Sequence, residues 1–355
     1  MVVIMPALRV VRFDKLTPAD LDAWHRLRDA DPAYDSPYFH PGFAAAVHAS
    51  GRPVHMVVSR ERGQITGLLA GHKEGKLLRP AGWPAADFQG PILARGAEFP
   101  PLDVLSASGV RGFEFDHLLE TATGFAPWVE SSRPSPYVDI TGGLDAYLGR
   151  ASKSGKDNMA QARRRAAKAE RELGPLRFEV DTVDETALEK VVELKRAQYA
   201  ATGARDYFAE PDRVRLLKRL MHTRDASFGG ILSTIHAGPH LLAAHFGMRA
   251  GGVLHWWFPV YDPMHAKLAP GWILLRALVE AGAALGISRI DLGRGEDEYK
   301  RRAKTGETNV SQGMVTRSGT LRVWRRAKES LVSSAKASAF GPTLRKAKHV
   351  LRRTR

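Results

Sequence analysis

The segment RIDLGRGEDEYKRR, Arg289 to Arg302, concentrates titratable side chains behind a short strand. Ile290-Asp291-Leu292 reads as the strand. Gly293 and Gly295 let the chain turn sharply after it, because glycine takes left-handed backbone without a steric penalty. Glu296, Asp297 and Glu298 crowd the turn, Tyr299 follows, and Lys300, Arg301 and Arg302 close it. Asp291 lies within the strand, where a carboxylate is tolerated only if paired, with Arg294 or Lys300 as its expected partner. The pattern also suits a plain solvated helix start, with acids at the positive end and bases later. His245, in the apolar strand LLAAHFGM, is the second candidate. An imidazole titrates where a general base must, although a lone strand histidine is also an ordinary core residue. His255, Trp256 and Trp257 follow on the paired strand. Alternation puts His255 and Trp257 on one face and Trp256 on the other, so that one face can wall a substrate pocket or fill a core. His236 and His240 flank a Gly-Pro turn rather than a helix, so no metal site is expected.

The elements that must position these groups belong to a chain of 355 residues, long enough for two domains. Its 44% hydrophobic content supports an ordinary core. The absence of cysteine excludes a disulfide scaffold, a thiolate nucleophile and thiolate-bound zinc. The opening MVVIMPALRVVRF has neither a basic n-region nor a small-residue cleavage site, so no signal peptide is expected. Trp272 to Ile287 is the most apolar stretch, but Arg276 and Glu280 mark it as a buried helix rather than a membrane span. The net charge of +15 is concentrated. Arg150 to Glu172 carries +5 and Arg322 to Arg355 carries +10. Two basic elements on a neutral body suit two contacts with something anionic, or two solvated helix faces.

The chain repeats itself. ITGLLAGHKEGKLL at Ile65 aligns without gaps to LLAAHFGMRAGGVL at Leu241, and each copy has the apolar, Gly-turn, apolar pattern of a hairpin. PYFHPGF at Pro37 resembles DYFAEPD at Asp206, each behind a helical stretch. The shared order makes duplication the better explanation. In this alignment His245 meets Leu69, as expected if only the second copy kept a working site. SSRPSPYVDI, from Ser131, crosses into the second copy. Leu144 to Leu173 is expected to be one helix stopped by Gly174-Pro175. LRFEVDTV is a strand, and the second core is expected to run α, α, β, β, α, β, with Gly286 ending the apolar helix.

The hairpin, the YDP after it, and APGWILLRALVEAGAALGISRIDLGRGEDEYKRR together resemble the GNAT-type acyltransferases of the CelD/FemAB-like group. SPYFHPGF and DFQGPI resemble its N-terminal half, as does the basic helix SKSGKDNMAQARRRAAKAERELG, so the resemblance covers about residues 20–318. It implies an α/β (α+β) fold of two tandem GNAT-like domains, each a mixed twisted sheet flanked by helices. The expected division is a degenerate copy at 1–135, a catalytic copy at 136–320 and a basic amphipathic helical tail at 321–355. It also implies acyl-CoA as co-substrate and two neighbouring strands that splay to admit the thioester arm. HWWFPVYDP would be the first of these, with Val260 and Tyr261 on the donor, and RIDLG with Gly293 the second. Pro259, which lacks a ladder donor, suits an interrupted strand or a simple strand end. Lys267, Pro270, Gly271 and Trp272 would meet the pyrophosphate at a helix start, although Pro270 and Trp272 stand in the family's glycine slots. Tyr299 would protonate the leaving thiolate, with His245, Asp291 and Lys300 as further catalytic candidates. Trp257, His255, Arg294 and Glu296 are then candidates to contact the acceptor.

Three functions follow. The first is N-acyl transfer to an amino group of a lipid- or polysaccharide-linked envelope precursor, in a cytoplasmic protein peripheral to the inner membrane face. The second is Fem-type transfer from aminoacyl-tRNA, with the helix at 150–172 on the tRNA phosphates. The third is a non-catalytic module that binds an anionic nucleotide. From Arg322 onward, Val323, Trp324, Ala327, Leu331 and Ala335 form an apolar stripe beside basic residues. That arrangement suits an anionic membrane surface, or a helix packed on the domain with a loose end.

Overall fold

The computed structural model describes residues 7–295, 297–321 and 325. The first half runs β1 (Ala7–Arg12), α1 (Pro18–Asp29), α2 (Pro41–Ala49), β2 (His55–Glu61), β3 (Gln64–Glu74), β4 (Leu77–Pro80), β5 (Ile92–Leu93), α3 (Pro101–Ser108) and β6 (Gly112–Leu119). β7 (Val129–Asp139), α4 (Gly143–Arg150) and α5 (Lys153–Leu173) lead to the second half. There β8 (Leu176–Val180), α6 (Glu185–Thr202), α7 (Pro211–Met221), β9 (Phe228–Ala237), β10 (His240–Ala250) and β11 (Val253–Tyr261) precede α8 (Pro270–Ala281), β12 (Arg289–Asp291), α9 (Glu298–Ala303) and β13 (Gly306–Thr316).

Local chemistry sets the boundaries. The Thr17 hydroxyl accepts from the Asp20 amide while the Asp20 carboxylate accepts from the Thr17 amide, a reciprocal cap that starts α1. The Asp184 carboxylate accepts from the Ala187 amide and starts α6 with a one-way cap, and Gly203 ends it in left-handed backbone. Both Tyr-Phe segments form short 3₁₀ turns, Pro37–Phe39 and Tyr207–Ala209, each before the second helix of its half. Three expectations change. The helix expected over 144–173 is two helices, because Ala151 is extended and Ser152 caps a new start. The apolar helix stops at Ala281 rather than at Gly286. An additional strand, β9, separates α7 from β10. It is buried at nearly every position, so no alternation marks it in the sequence.

Among the described residues the strands form one sheet in the order β1-β2-β3-β4-β6-β13-β7-β12-β11-β10-β9-β8, with β5 paired to β3 alone. The order reads as a mirror about its centre. β4 pairs parallel to β6, as β11 does to β12. At the centre the halves exchange strands: β7 pairs with β12, and β13 pairs with β6. α1, α2, α6 and α7 share one apolar cluster on one face, from Trp24 and Phe43 to Leu216 and Trp257. α4, α5 and α8 bury Tyr147, Met159 and Leu274 on the other face of the second half, and α3 buries Val104 and Leu105 with Phe113 in the first. No helix among the described residues is long and apolar enough to cross a membrane. Most of the basic tail lies outside the described residues, including its expected apolar stripe. Arg325 is described: it is buried and pairs with Glu114 and Glu130, from β6 and β7.

Candidate active site

β11 and β12 pair over only three residues, Val253 to His255 against Arg289 to Asp291, although β11 continues to Tyr261. Beyond His255 the strands part, as the family resemblance implies for HWWFPVYDP and RIDLG. A cavity of about 660 Å³ opens there. Trp256 lies on the α8 face of the sheet and Trp257 on the α6 face, and both line it. So do Pro270, Gly271 and Trp272 from the start of α8, and Lys195 and Gln198 from α6. The cavity therefore passes through the sheet at the gap. Its α8 end meets a helix start with no side-chain cap, where backbone N–H groups favour anions.

The first half closes its own equivalent gap. Beyond β4 the chain returns across β6: the Gln89 amide donates to the His117 carbonyl at 2.9 Å, and the Leu119 amide donates to the Gln89 carbonyl at 2.9 Å. The same loop delivers Asp87 to the cavity of the second half. One Asp87 oxygen lies 3.2 Å from His117 Nε2 and the other 3.1 Å from His255 Nε2. His117 Nδ1 meets Asp116 Oδ1 at 2.8 Å, and Gln89 Nε2 donates to the same oxygen at 2.8 Å. Arg294 donates to the Asp116 carbonyl. Burial alone would raise the Asp87 carboxyl, but His117, His255 and Lys300 together hold it well below the usual carboxylate range. It is therefore an anion at neutral pH. Gly293, at φ +74°, makes room for it: a β-carbon there would sit 2.3 Å from Asp87 Oδ2.

Of the expected residues, Tyr299, Lys300, Trp257, Val260, Tyr261, Pro270, Gly271 and Trp272 line the cavity. Burial, with Asp297 and Asp87 nearby, raises the Tyr299 phenol above its ordinary value. Lys300 donates to the carbonyls of Gly293 and Arg294 at 3.2 and 3.0 Å and so ties down the turn. His255, Gly293 and Arg294 stand behind the lining, in the Asp87 network. Lys267 is exposed and outside the lining. Glu296 lies outside the described residues.

Two expectations are corrected. Asp291 pairs with Arg289, at 3.0 Å, rather than with Arg294 or Lys300, which are engaged elsewhere. Burial raises its carboxyl despite that arginine, and it does not line the cavity. His245 is fully buried on the α8 side, stacked on Trp256 at 4.2 Å, and does not reach the cavity. Burial lowers its pKa to about 3, so it is neutral across the working range. Among the described residues neither ring nitrogen makes a hydrogen bond of normal geometry, and the nearby His255 carbonyl opposes the shift only in part. His245→Leu, which installs the residue of the first copy, is therefore expected to stabilise the protein by about 1 kcal/mol, because it removes an unsatisfied buried polar group. Acyl transfer should stay within twofold of wild type. A lower melting temperature, or a large loss of transfer, would restore a role for the imidazole.

The sequence did not single out Asp87, His117, Lys195 or Gln198. DFQGPI did stand out, but nothing local shows that its aspartate meets a strand some 170 residues on. No group of three His, Cys, Asp or Glu among the described residues could hold a metal ion.

Residues 156–301 match the family model described as an acetyltransferase (GNAT) domain. No curated protein matches the sequence. Among solved structures the chain is similar to FemX, with a TM-score of 0.58 and 11% identity, over 86% of this chain and 96% of that one. It is also similar to the C-terminal domain of a "Putative Lysylphosphatidylglycerol Synthetase" from Agrobacterium fabrum, with a TM-score of 0.52 and 14% identity, over 88% and 96% of the two chains. A conserved protein of unknown function from Bacteroides thetaiotaomicron gives 0.52 and 10%, over 84% and 98%. These likenesses place the fold, and the family match covers the helix, hairpin and turn that build the cavity. Residues 156–301 thus match an acetyltransferase (GNAT) domain, set within a fold like that of FemX, and the chemistry this match supports is acyl transfer.

Proposed function

We propose that the chain moves an acyl group from acyl-CoA to an amino group of a lipid- or polysaccharide-linked envelope precursor. The observation that carries this reading is the cavity through the parted strands, with the Asp87 anion and the protonated Tyr299 phenol both lining it. A thioester arrives already activated. The protein has to orient the amine, take its proton and return one to sulfur. The edge of β11 beyond His255, free of β12, offers backbone groups to the donor arm, and the start of α8 offers N–H groups to its phosphates. Asp87 holds the acceptor ammonium, and Tyr299 donates to the departing sulfur. In this reading residues 136–320 form the working copy and 1–135 a copy whose cleft its own loop has closed. The likeness to a domain of a protein named for an aminoacylated lipid supports a lipid-linked acceptor.

A specific feature also favours a second donor. α5 presents Lys153, Lys156, Arg163, Arg164 and Lys168 to solvent, and its Ser152 cap and Gly155 abut Arg302 in α9. That surface suits the phosphates of aminoacyl-tRNA. Thermal melts decide between the donors. Acyl-CoA at 100 times its dissociation constant should stabilise the fold by about 2.7 kcal/mol, with little effect from aminoacyl-tRNA. Stabilisation by aminoacyl-tRNA alone moves the donor to the Fem type, and stabilisation by neither overturns the transfer reading.

A further inference from the structure

Lys195 projects from α6 into the cavity on the face opposite α8. No carboxylate lies within ion-pair distance of its Nζ among the described residues. Its Nζ donates to the Pro259 carbonyl at 3.4 Å, on the part of β11 that has left β12. The Tyr199 ring lies 5.8 Å beneath it. Around it the cavity wall carries Asp87 from the first half, Asp297, Glu298, Tyr299 and Lys300 from the α9 region, and Tyr261 from β11. A lysine in a half-buried wall without a counter-ion holds its charge poorly. Burial, with Lys300 nearby and only Asp297 opposing, lowers it to about 8. The donor phosphates are drawn to the α8 end of the gap, so α6 faces the end left to the acceptor.

We infer that Lys195 is the general base that takes the proton of the acceptor amine, an inference that rests on the acyl-transfer reading above. Asp87 is too strongly held as an anion to accept a proton well, so it binds the ammonium and Lys195 receives the proton. The ammonium held by Asp87 first gives one proton to solvent, which frees the nitrogen lone pair; as that nitrogen forms its bond to the acyl carbon, a second N–H proton passes to the Nζ lone pair. The carbon–sulfur bond breaks with its electron pair going to sulfur, which takes the Tyr299 proton. The Lys195 ammonium then returns a proton to the Tyr299 oxygen, directly or through water. The products are an amide and a thiol, and both side chains are restored.

The test has one arm that needs no substrate. Trace labelling of the full chain with acetic anhydride from pH 6 to 11, read by peptide mass spectrometry, should give Lys195 a midpoint near 8, well below the ordinary lysine value of about 10.4. A thioester donor should leave that labelling accessible, because donor and acceptor occupy opposite ends. In the second arm, Lys195→Met should lower kcat/KM by about 10²–10³-fold and abolish the rise of activity through pH 8. Lys195→Arg, which keeps the charge without a usable base, should do the same. Labelling of Lys195 in step with the other lysines, or a wild-type pH profile in Lys195→Met, overturns the base and leaves acyl transfer intact. Absence of transfer by the wild type with every donor and amine tried overturns the acyl-transfer reading, and the base with it.

Discussion

Tyr299→Phe is expected to slow acyl transfer by about 10²–10⁴-fold while leaving the melting temperature and donor affinity close to wild type. The ring fills the same space, and no hydrogen bond to the hydroxyl is seen among the described residues, so its removal costs the folded state little. The loss should fall on kcat, because the hydroxyl acts on the departing sulfur rather than on the bound donor. Burial and the neighbouring acids Asp297 and Asp87 raise the phenol. It therefore keeps its proton beyond its ordinary value near 10, and the wild-type profile should show no alkaline loss attributable to Tyr299 below that pH. A phenol raised this far yields its proton only if it is re-protonated at once, which a nearby ammonium makes possible. Unchanged turnover in Tyr299→Phe would remove the phenol from the mechanism.

Asp87→Asn should lower kcat/KM by about 10- to 150-fold, the cost of losing a charge-assisted hydrogen bond of about 1.5–3 kcal/mol. The loss should appear mainly in KM for the amine. The same variant tests the network through its stability. The Asp87 carboxyl is depressed in the folded state, so it favours folding at every pH above its unfolded value near 3.9. That contribution disappears as the pH falls through the folded value. The gap in melting temperature between wild type and Asp87→Asn should therefore be constant near neutrality and shrink below about pH 4. A gap that ignores acid would show that His117, His255 and Lys300 do not stabilise the anion.

What the sequence disclosed depended on how local each signal was. The hairpins, the Tyr-Phe turns and the strand-turn-tyrosine segment are short and carry their own periodicity or glycine chemistry, so they could be read. Gly293 and Gly295 do take positive φ. β9 was missed because burial on both faces erases alternation. β13 was missed because its partners, β6 and β7, are far away in the chain. Asp87 and Lys195 escaped for the same reason: each looks ordinary beside its sequence neighbours and acquires its role only from residues of a distant strand or helix. His245 erred in the opposite direction, since titratable character is visible in sequence and burial is not.

The strand exchange at the centre of the sheet has a consequence for biosynthesis. β6 has β4 on one side and needs β13 on the other. Leu119 and Thr316 stand at the ends of those strands, so at about 5–20 residues per second the ribosome takes about 10–40 s to make the intervening chain. During that interval the nascent first half presents an open strand edge lined with Phe113, Phe115 and Leu118, which the finished protein buries. Such an edge is a template for pairing with other chains. Yield on expression should therefore depend on holdase chaperones and fall when translation slows between residues 119 and 316, even for variants whose finished fold is as stable as wild type.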